Sequence, residues 1–350
     1  MPEITPCRER DYMHNVIHFL YMGSTLPHHT DIERLVRRSS LIFPVNVQRF
    51  VEKAHLRGAD CIVMDLEDSV PEGEKEAARG LIKGYIPVVG KGGGDVAVRI
   101  NRPIDQATED LEASVWPGLA CVALPKVESA EEVRARDGII ADLERRRGME
   151  AGTVQIAVAV ETALGVVRAF EIASASPRIV TIGVGAEDLT QEMGVQTTGE
   201  GRELWYARSK VLTDAYAAGV QPMGLVGVEP FTWREPEKAY DAAVNSRKLG
   251  YKGAQSIHPA PIPYLNDGFS IPPKEVAHMR RALEAFEEGV RKGTASVSVD
   301  GRMIDIASAE RCRRVLARAG AIVDMDGRKD EALEDSDSLE EKLRAAIGEI

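Results

Sequence analysis

The distribution of apolar and polar positions repeats one unit along most of the chain. From Ser39 onward, short apolar runs alternate with stretches of helical spacing. SLIFPV, CIVMDLEDSV, DVAVRIN, CVALPKV, Ile156–Val160, Ile179–Val184, VQPMGLVGV and GAQSIHP have strand length and predict eight buried strands. The stretches between them carry helix signals. Val47, Phe50, Val51 and Ala54 fall on one face, and Gly58 stops that helix. A proline and acidic residues open PEGEKEAARGLIKGYI, a helix-like stretch spans Gln106–Ser114, and Ser129 caps SAEEVRARDGIIADLERRRG. LWYARSKVLTDAYAAG and EPEKAYDAAVNSRKLG complete the set.

Eight strands separated by helices predict an α/β fold, a (β/α)8 TIM barrel. A doubly wound open sheet is the competing architecture. Its dinucleotide-binding form lacks support, because no GxGxxG follows the first strand and KGGG reads as a flexible turn. The predicted division is an N-terminal helical extension over 1–38, a barrel over 39–290, a C-terminal lid over 291–320 and a charged tail over 321–350. In the extension, HNVIHFLYMG and TDIERLVRR read as short helices, the second capped by Thr30 or Asp31. Its histidines, His14, His18, His28 and His29, have no carboxylate partner at ligand spacing and read as surface or subunit-contact residues. The lid begins after the helical PPKEVAHMRRALEAFEEGVRKG. TASVSVDGRMIDIA predicts a hairpin turning at Asp300-Gly301, and SAERCRRVLARAG a final helix. The charged tail reads as a frayed end or a surface helix.

Composition narrows the function classes. With 350 residues and 44% hydrophobic content, the chain can build a sizeable core. A net charge of −11 argues against nucleic-acid or membrane-surface partners, which need a basic face. No apolar run reaches spanning length. MPEITPCRERDYMHN lacks the basic-then-apolar pattern of a secretory signal, so a cytoplasmic location is expected. Cys7, Cys61, Cys121 and Cys312 show no CxxC spacing and read as free thiols in a reducing compartment.

Barrel chemistry sits at the C-terminal ends of strands. The polar residues there are Asp65, Glu67, Asp68, Arg99, Lys126, Glu128, Glu161, Asp188, Ser256 and His258. Crowded carboxylates repel one another unless a cation neutralises them. Glu161 and Asp188 end adjacent strands and read as ligands of one divalent ion, and an all-oxygen set favours Mg2+ or Mn2+ over zinc. Asp68 reads equally well as a helix cap, and His258 before Pro259 as a structural hydrogen-bonding residue. A hard cation plus Arg99 suits an α-keto acid: the metal polarises its oxygens, and the arginine stabilises an enolate formed by C–C cleavage. The remaining need is an acid/base, and no barrel histidine stands out for it.

The motifs GADCIVMDLEDSVPEGEKEAAR, VRIN, LPKVESAEEV, VET..G, GAEDL, YARSKV, LGYKGAQSIHP and GRMIDIAS come in an order that resembles the citrate lyase beta subunit and malyl-CoA lyase (HpcH/HpaI aldolase-type) superfamily, over roughly Arg38 to Ala317. VQTTGEG and MIDIAS resemble most the malyl-CoA or citramalyl-CoA lyase branch. The resemblance implies a TIM-barrel lyase, a homotrimer or hexamer whose lid crosses between subunits. Such an enzyme cleaves or forms a 3-hydroxyacyl-CoA, which is a substrate rather than a bound cofactor. Thioesterase activity, a non-CoA keto-hydroxy acid, and a non-catalytic lyase beta chain working within a complex or degenerate from one are the other outcomes of that scaffold. The resemblance implies Glu161 and Asp188 as metal ligands and Arg99 as the substrate-polarising residue. Glu67 and Asp68 would hold metal-bound waters or orient Arg99, Ile257 and Pro259 would contact substrate, and Asp305 of the lid would be the acid/base. Three segments depart from the family pattern. Pro44-Val45-Asn46-Val47-Gln48 replaces a PGNRP-like phosphate-binding turn, Ala254 replaces a lysine, and Met223-Gly224 with Val228-Glu229-Pro230 replaces an acidic seventh-strand segment. All three lie on the CoA or substrate side.

Overall fold

The structure, a computed structural model, describes residues 32–227 and 234–348, with side chains to 334. The four N-terminal histidines and Val228-Glu229-Pro230 lie outside the described residues. The eight predicted strands are present: β1 (Ser39–Pro44), β2 (Cys61–Asp65), β3 (Asp95–Arg99), β4 (Cys121–Leu124), β5 (Gln155–Val160), β6 (Ile179–Val184), β7 (Gln221–Met223) and β8 (Ala254–Ser256). All neighbours pair parallel, in the order β7-β6-β5-β4-β3-β2-β1-β8. The ring closes through a parallel bridge between Met223 and Gly253, with Gly224 N donating to Gly253 O (2.9 Å) and Lys252 N to Pro222 O (3.0 Å). A β-carbon on Gly253 would lie 1.9 Å from the Arg37 carbonyl, so only glycine brings β8 this close to the start of β1. This is a TIM barrel, as the alternation predicts.

Side-chain parity divides the core in two. One set of positions, including Ile62, Met64, Val98, Val122, Ile156 and Val158, packs outward under the helices. The opposite set, Ile42, Cys61, Val63, Ala97 and Cys121, fills the lumen. Arg37 lies among these lumen residues at the start of the strands, paired with Asp95 (3.0 Å) and donating to Gln155 Oε1 (2.7 Å). Continuing the inward series 61, 63, 65 and 97, 99 brings Asp65 and Arg99 to the opposite end, where they are direct register partners.

By Cα proximity the described residues form two compact units, 32–35 with 271–321, and 36–270 with 322–348. In the first, helix Pro273–Arg291 and hairpin β9 (Val297–Val299) and β10 (Arg302–Ile304) share a core of Met279, Ala282, Phe286, Ile304, Ala309 and Cys312. Asp300 and Gly301 both have positive φ, 50° and 76°, the twist a two-residue hairpin turn requires.

The lid helix and the charged tail, read separately from the sequence, form a single helix, Ile306–Gly348, which supplies residues to both units. Gly320 and Gly327 weaken a helix without breaking it. Its later part is anchored in the second unit. Lys329 Nζ reaches Asp60 Oδ1 (2.7 Å) and Asp326 pairs with Arg38, which also grips Asp60 (2.7 Å).

Candidate active site at the barrel mouth

Asp65 is fully buried at the end of β2 and receives Arg99 in a two-pronged pair, Nε to Oδ1 and Nη2 to Oδ2, each 2.7 Å. Ser69 and the Glu67 backbone N also donate to it. Although burial opposes ionisation, the Arg99 pair and these donors hold its carboxyl below the usual range. The Arg99 guanidinium is held charged by Asp65 and Glu67, the latter 3.0 Å from Nη1. Glu67 thus stands against Arg99. Asp68 instead pairs with Lys126 (2.7 Å), whose Nζ also donates to Glu67 Oε1 (2.8 Å). Behind this loop, the buried Lys75 ammonium donates to the carbonyls of Leu66 (2.9 Å) and Glu67 (3.0 Å) and to Asn101 Oδ1 (2.7 Å).

Glu161 leaves β5 and is buried, and Asp188 stands in the first turn of helix Ala186–Met193, directly after β6. Their carboxyls meet. Burial, then a hydrogen bond and charge repulsion from Asp188, then the charge of Glu67, push the Glu161 carboxyl up to about 8, with Lys126 opposing. Its Oε2 is buried and receives no hydrogen bond. Between them lies Gly185, where a β-carbon would fall 2.5 Å from Glu161 Cγ. Two carboxyls close enough to share a proton are close enough to share a cation. An orphaned buried oxygen in an all-oxygen donor set fits a hard divalent ion. Among the described residues no group of three or more His, Cys, Asp or Glu side chains is set to hold a metal. The protein's share of such a site is this pair, and substrate and water oxygens would complete it.

The other expected residues fall as follows. Ile257 (73% exposed) and half-buried Pro259 follow β8. His258 Nδ1 accepts from Ala260 N (3.1 Å), the structural use the sequence suggested. Glu128 is paired with Arg102. Val45 is fully buried, its N donating to Asp65 O (3.3 Å). Asp305 belongs to the other unit and caps helix Ile306–Gly348, accepting from Ser308 N (2.8 Å), which keeps its carboxyl below the usual range. Sequence reasoning placed Asp65 and Lys126 at the mouth without a role and missed Lys75 and Asn101. Strand parity identifies Asp65. No sequence pattern marks Lys75, which reads as one more charge in a helix start.

The sequence profile of the HpcH/HpaI aldolase/citrate lyase family matches residues 38–259. Citrate lyase subunit beta of Leuconostoc mesenteroides subsp. cremoris is 36% identical over 300 residues, 84% of this chain and 97% of that protein. L-malyl-CoA/beta-methylmalyl-CoA lyase of Cereibacter sphaeroides is 31% identical, covering 81% of this chain and 95% of that protein. Among solved structures, the protein CitE from Mycobacterium tuberculosis, in complex with magnesium, acetoacetate and coenzyme A, is similar with a TM-score of 0.62 and 28% identity. That match covers 82% of this chain and 99% of the other.

Proposed function

The chain belongs to the HpcH/HpaI aldolase/citrate lyase family, and from that premise we propose a magnesium-dependent carbon–carbon lyase that cleaves or forms a 3-hydroxyacyl-CoA. Malyl-CoA and citramalyl-CoA are the model substrates, giving acetyl-CoA and an α-keto acid. The observation that carries the reading is Glu161, buried at the end of β5 with Oε2 taking no hydrogen bond, its carboxyl facing Asp188 in the first helical turn after β6. Glu161 and Asp188 would hold Mg2+ or Mn2+. When bound, the ion supplies Lewis acidity to the keto-acid oxygens and orients them. Arg99, fixed by Asp65 and Glu67, stabilises the negative charge that develops on the substrate oxygen as the C–C bond breaks. Proton exchange at the enolate carbon is assigned to Asp305. Its Ser308 bonds keep it ionised, so it starts as a base in the condensing direction and as an acid once protonated. Asp68, Ile257 and Pro259 are assigned to the substrate side. A homo-oligomer, trimer or hexamer, in which the lid of one copy serves another completes the proposal.

The test is purified protein, Mg2+ and malyl-CoA or citramalyl-CoA, read by appearance of the α-keto acid. Free malate in place of glyoxylate would instead mean a thioesterase. Failure to cleave any such thioester would sink the CoA part. Glu161→Ala and Asp188→Ala should each abolish metal-dependent turnover and Mg2+ binding by calorimetry. Full activity in either variant with magnesium bound would remove the central claim.

One observation favours a second reading, retro-aldol cleavage of a free 2-keto-3-hydroxy acid. In relatives of the resembling branch, glycine at the first-strand turn would admit a phosphate, whereas here Val45 is fully buried. Calorimetric titration with coenzyme A separates the two.

A further inference from the structure

After β4 the chain passes through Pro125 into Lys126, whose φ is 51°. Among the described residues only Asp300 shares a positive φ without being glycine, and its hairpin turn requires that conformation. The left-handed region is unfavourable for a residue with a β-carbon and persists where surrounding structure over-determines it. At Lys126 that structure is the chain beside it: the next residue, Val127, is buried and its N donates to Ala159 O (3.1 Å). The Lys126 Nζ reaches from the end of β4 to the loop after β2, donating to Glu67 Oε1 (2.8 Å) and Asp68 Oδ2 (2.7 Å). Glu67 Oε2 lies 3.0 Å from Arg99 Nη1, while Asp65 occupies Nε and Nη2. Two guanidinium nitrogens are thus hydrogen-bonded by a carboxylate fixed to backbone N–H groups. The third faces Glu67 Oε2 as an ion pair only, and that oxygen accepts no hydrogen bond, so the Glu67 carboxylate takes its hydrogen bond from Lys126 at Oε1. Lys75 holds the Glu67 carbonyl but not its carboxylate.

We propose that Lys126 is a positioning residue, which fixes the Glu67 carboxylate so that Arg99 presents its guanidinium at the angle the substrate oxygen needs as it gains charge. The proposal rests on the lyase reading above. Glu67 is nearly buried and transmits the effect. Asp68, with a side chain 55% exposed, is an accessory partner.

Lys126→Ala should lower kcat by ~10–100-fold, the usual range for a residue that supports a site through another, with KM little changed. Lys126→Gly should lose as much kcat yet melt at a higher temperature than Lys126→Ala, because glycine adopts φ 51° freely. That reverses the ordinary order of the two residues and separates backbone strain from the work of the amine. It also provides a second folded variant should the alanine form fail. Adding Glu67→Gln to either should cost no more than the larger single loss, since the residues act as one unit. Full kcat in Lys126→Ala, or losses that multiply in the double variant, would overturn the proposal. A crystal structure of Lys126→Ala should show the Glu67 carboxylate withdrawn from Arg99, and an undisturbed Glu67–Arg99 pair would also overturn it. Because that readout needs no turnover, a wild-type protein inactive on every thioester would refute the CoA part of the lyase reading while leaving the positioning claim separately decided.

Discussion

At the scale of single residues, the mouth is a set of charges that cannot be understood one at a time. The Asp65 carboxyl is held below its usual range because Arg99 grips it against the cost of burial, whereas burial and then the crowding Asp188 raise that of Glu161. Glu161 has little room to escape. Its side chain fills the space beside Gly185, where a β-carbon would sit 2.5 Å from its Cγ and 2.9 Å from its Cδ. Gly185→Ala is therefore expected to cost about 1–3 kcal/mol in urea unfolding and to weaken Mg2+ binding by displacing the carboxylate. A variant of unchanged stability with wild-type magnesium affinity would show that the pocket gives way elsewhere. Gly185 stood in the sequence as one letter of GAEDL, and its importance lies in a clash that only three dimensions reveal.

At the scale of elements, the eight strands and most helices were legible because burial on both faces writes each strand as an apolar run. The same rule hid which face each strand residue takes. The Cys61, Val63, Asp65 series could have been separated by parity, but an unbroken apolar run gives no polar phase marker. VQPMGLVGV reads as one strand, yet β7 occupies only Gln221–Met223. The approach of Glu161 to Asp188 was legible because each carboxylate follows its own apolar run. Lys126 was legible at the mouth but not its partners, Glu67 and Asp68, which are far away in sequence, and Lys75 was not legible at all. The last segment left two readings open, a frayed end or a surface helix, and it is helical. Nothing in the sequence tells that Asp326 and Lys329 meet Arg38 and Asp60. Lys329→Met would leave the fully buried Asp60 with one cation fewer, so we expect a loss of about 3 kcal/mol in urea denaturation. A loss below the error of that measurement would mean that Arg38 alone neutralises the cluster.

At the scale of the whole molecule, stability should carry the signature of the mouth. Burial, then the neighbouring Asp188, push the Glu161 carboxyl from the ordinary 4.5 up to about 8 in the folded chain. Its folded-state value is raised, so the folded state binds the extra proton. The stabilisation from that proton is complete below the ordinary carboxyl range and is lost as pH rises through about 8. The metal-free melting temperature should accordingly fall between about pH 6 and about pH 9. Magnesium should restore it, and should do so more strongly at the alkaline end, where no proton must be displaced. A melting temperature with the same magnesium increment at both ends would contradict the proton-sharing pair. The barrel's own closure has a different consequence. Among the described residues the ring is fastened between β7 and β8 by a single bridge with flanking backbone hydrogen bonds, whereas its other junctions are longer ladders. Thermal breathing should therefore begin at this junction, making the amides of Gly224 and Lys252 the first in the ring to trade their hydrogens with heavy water, as a zip parts first at its shortest run of teeth.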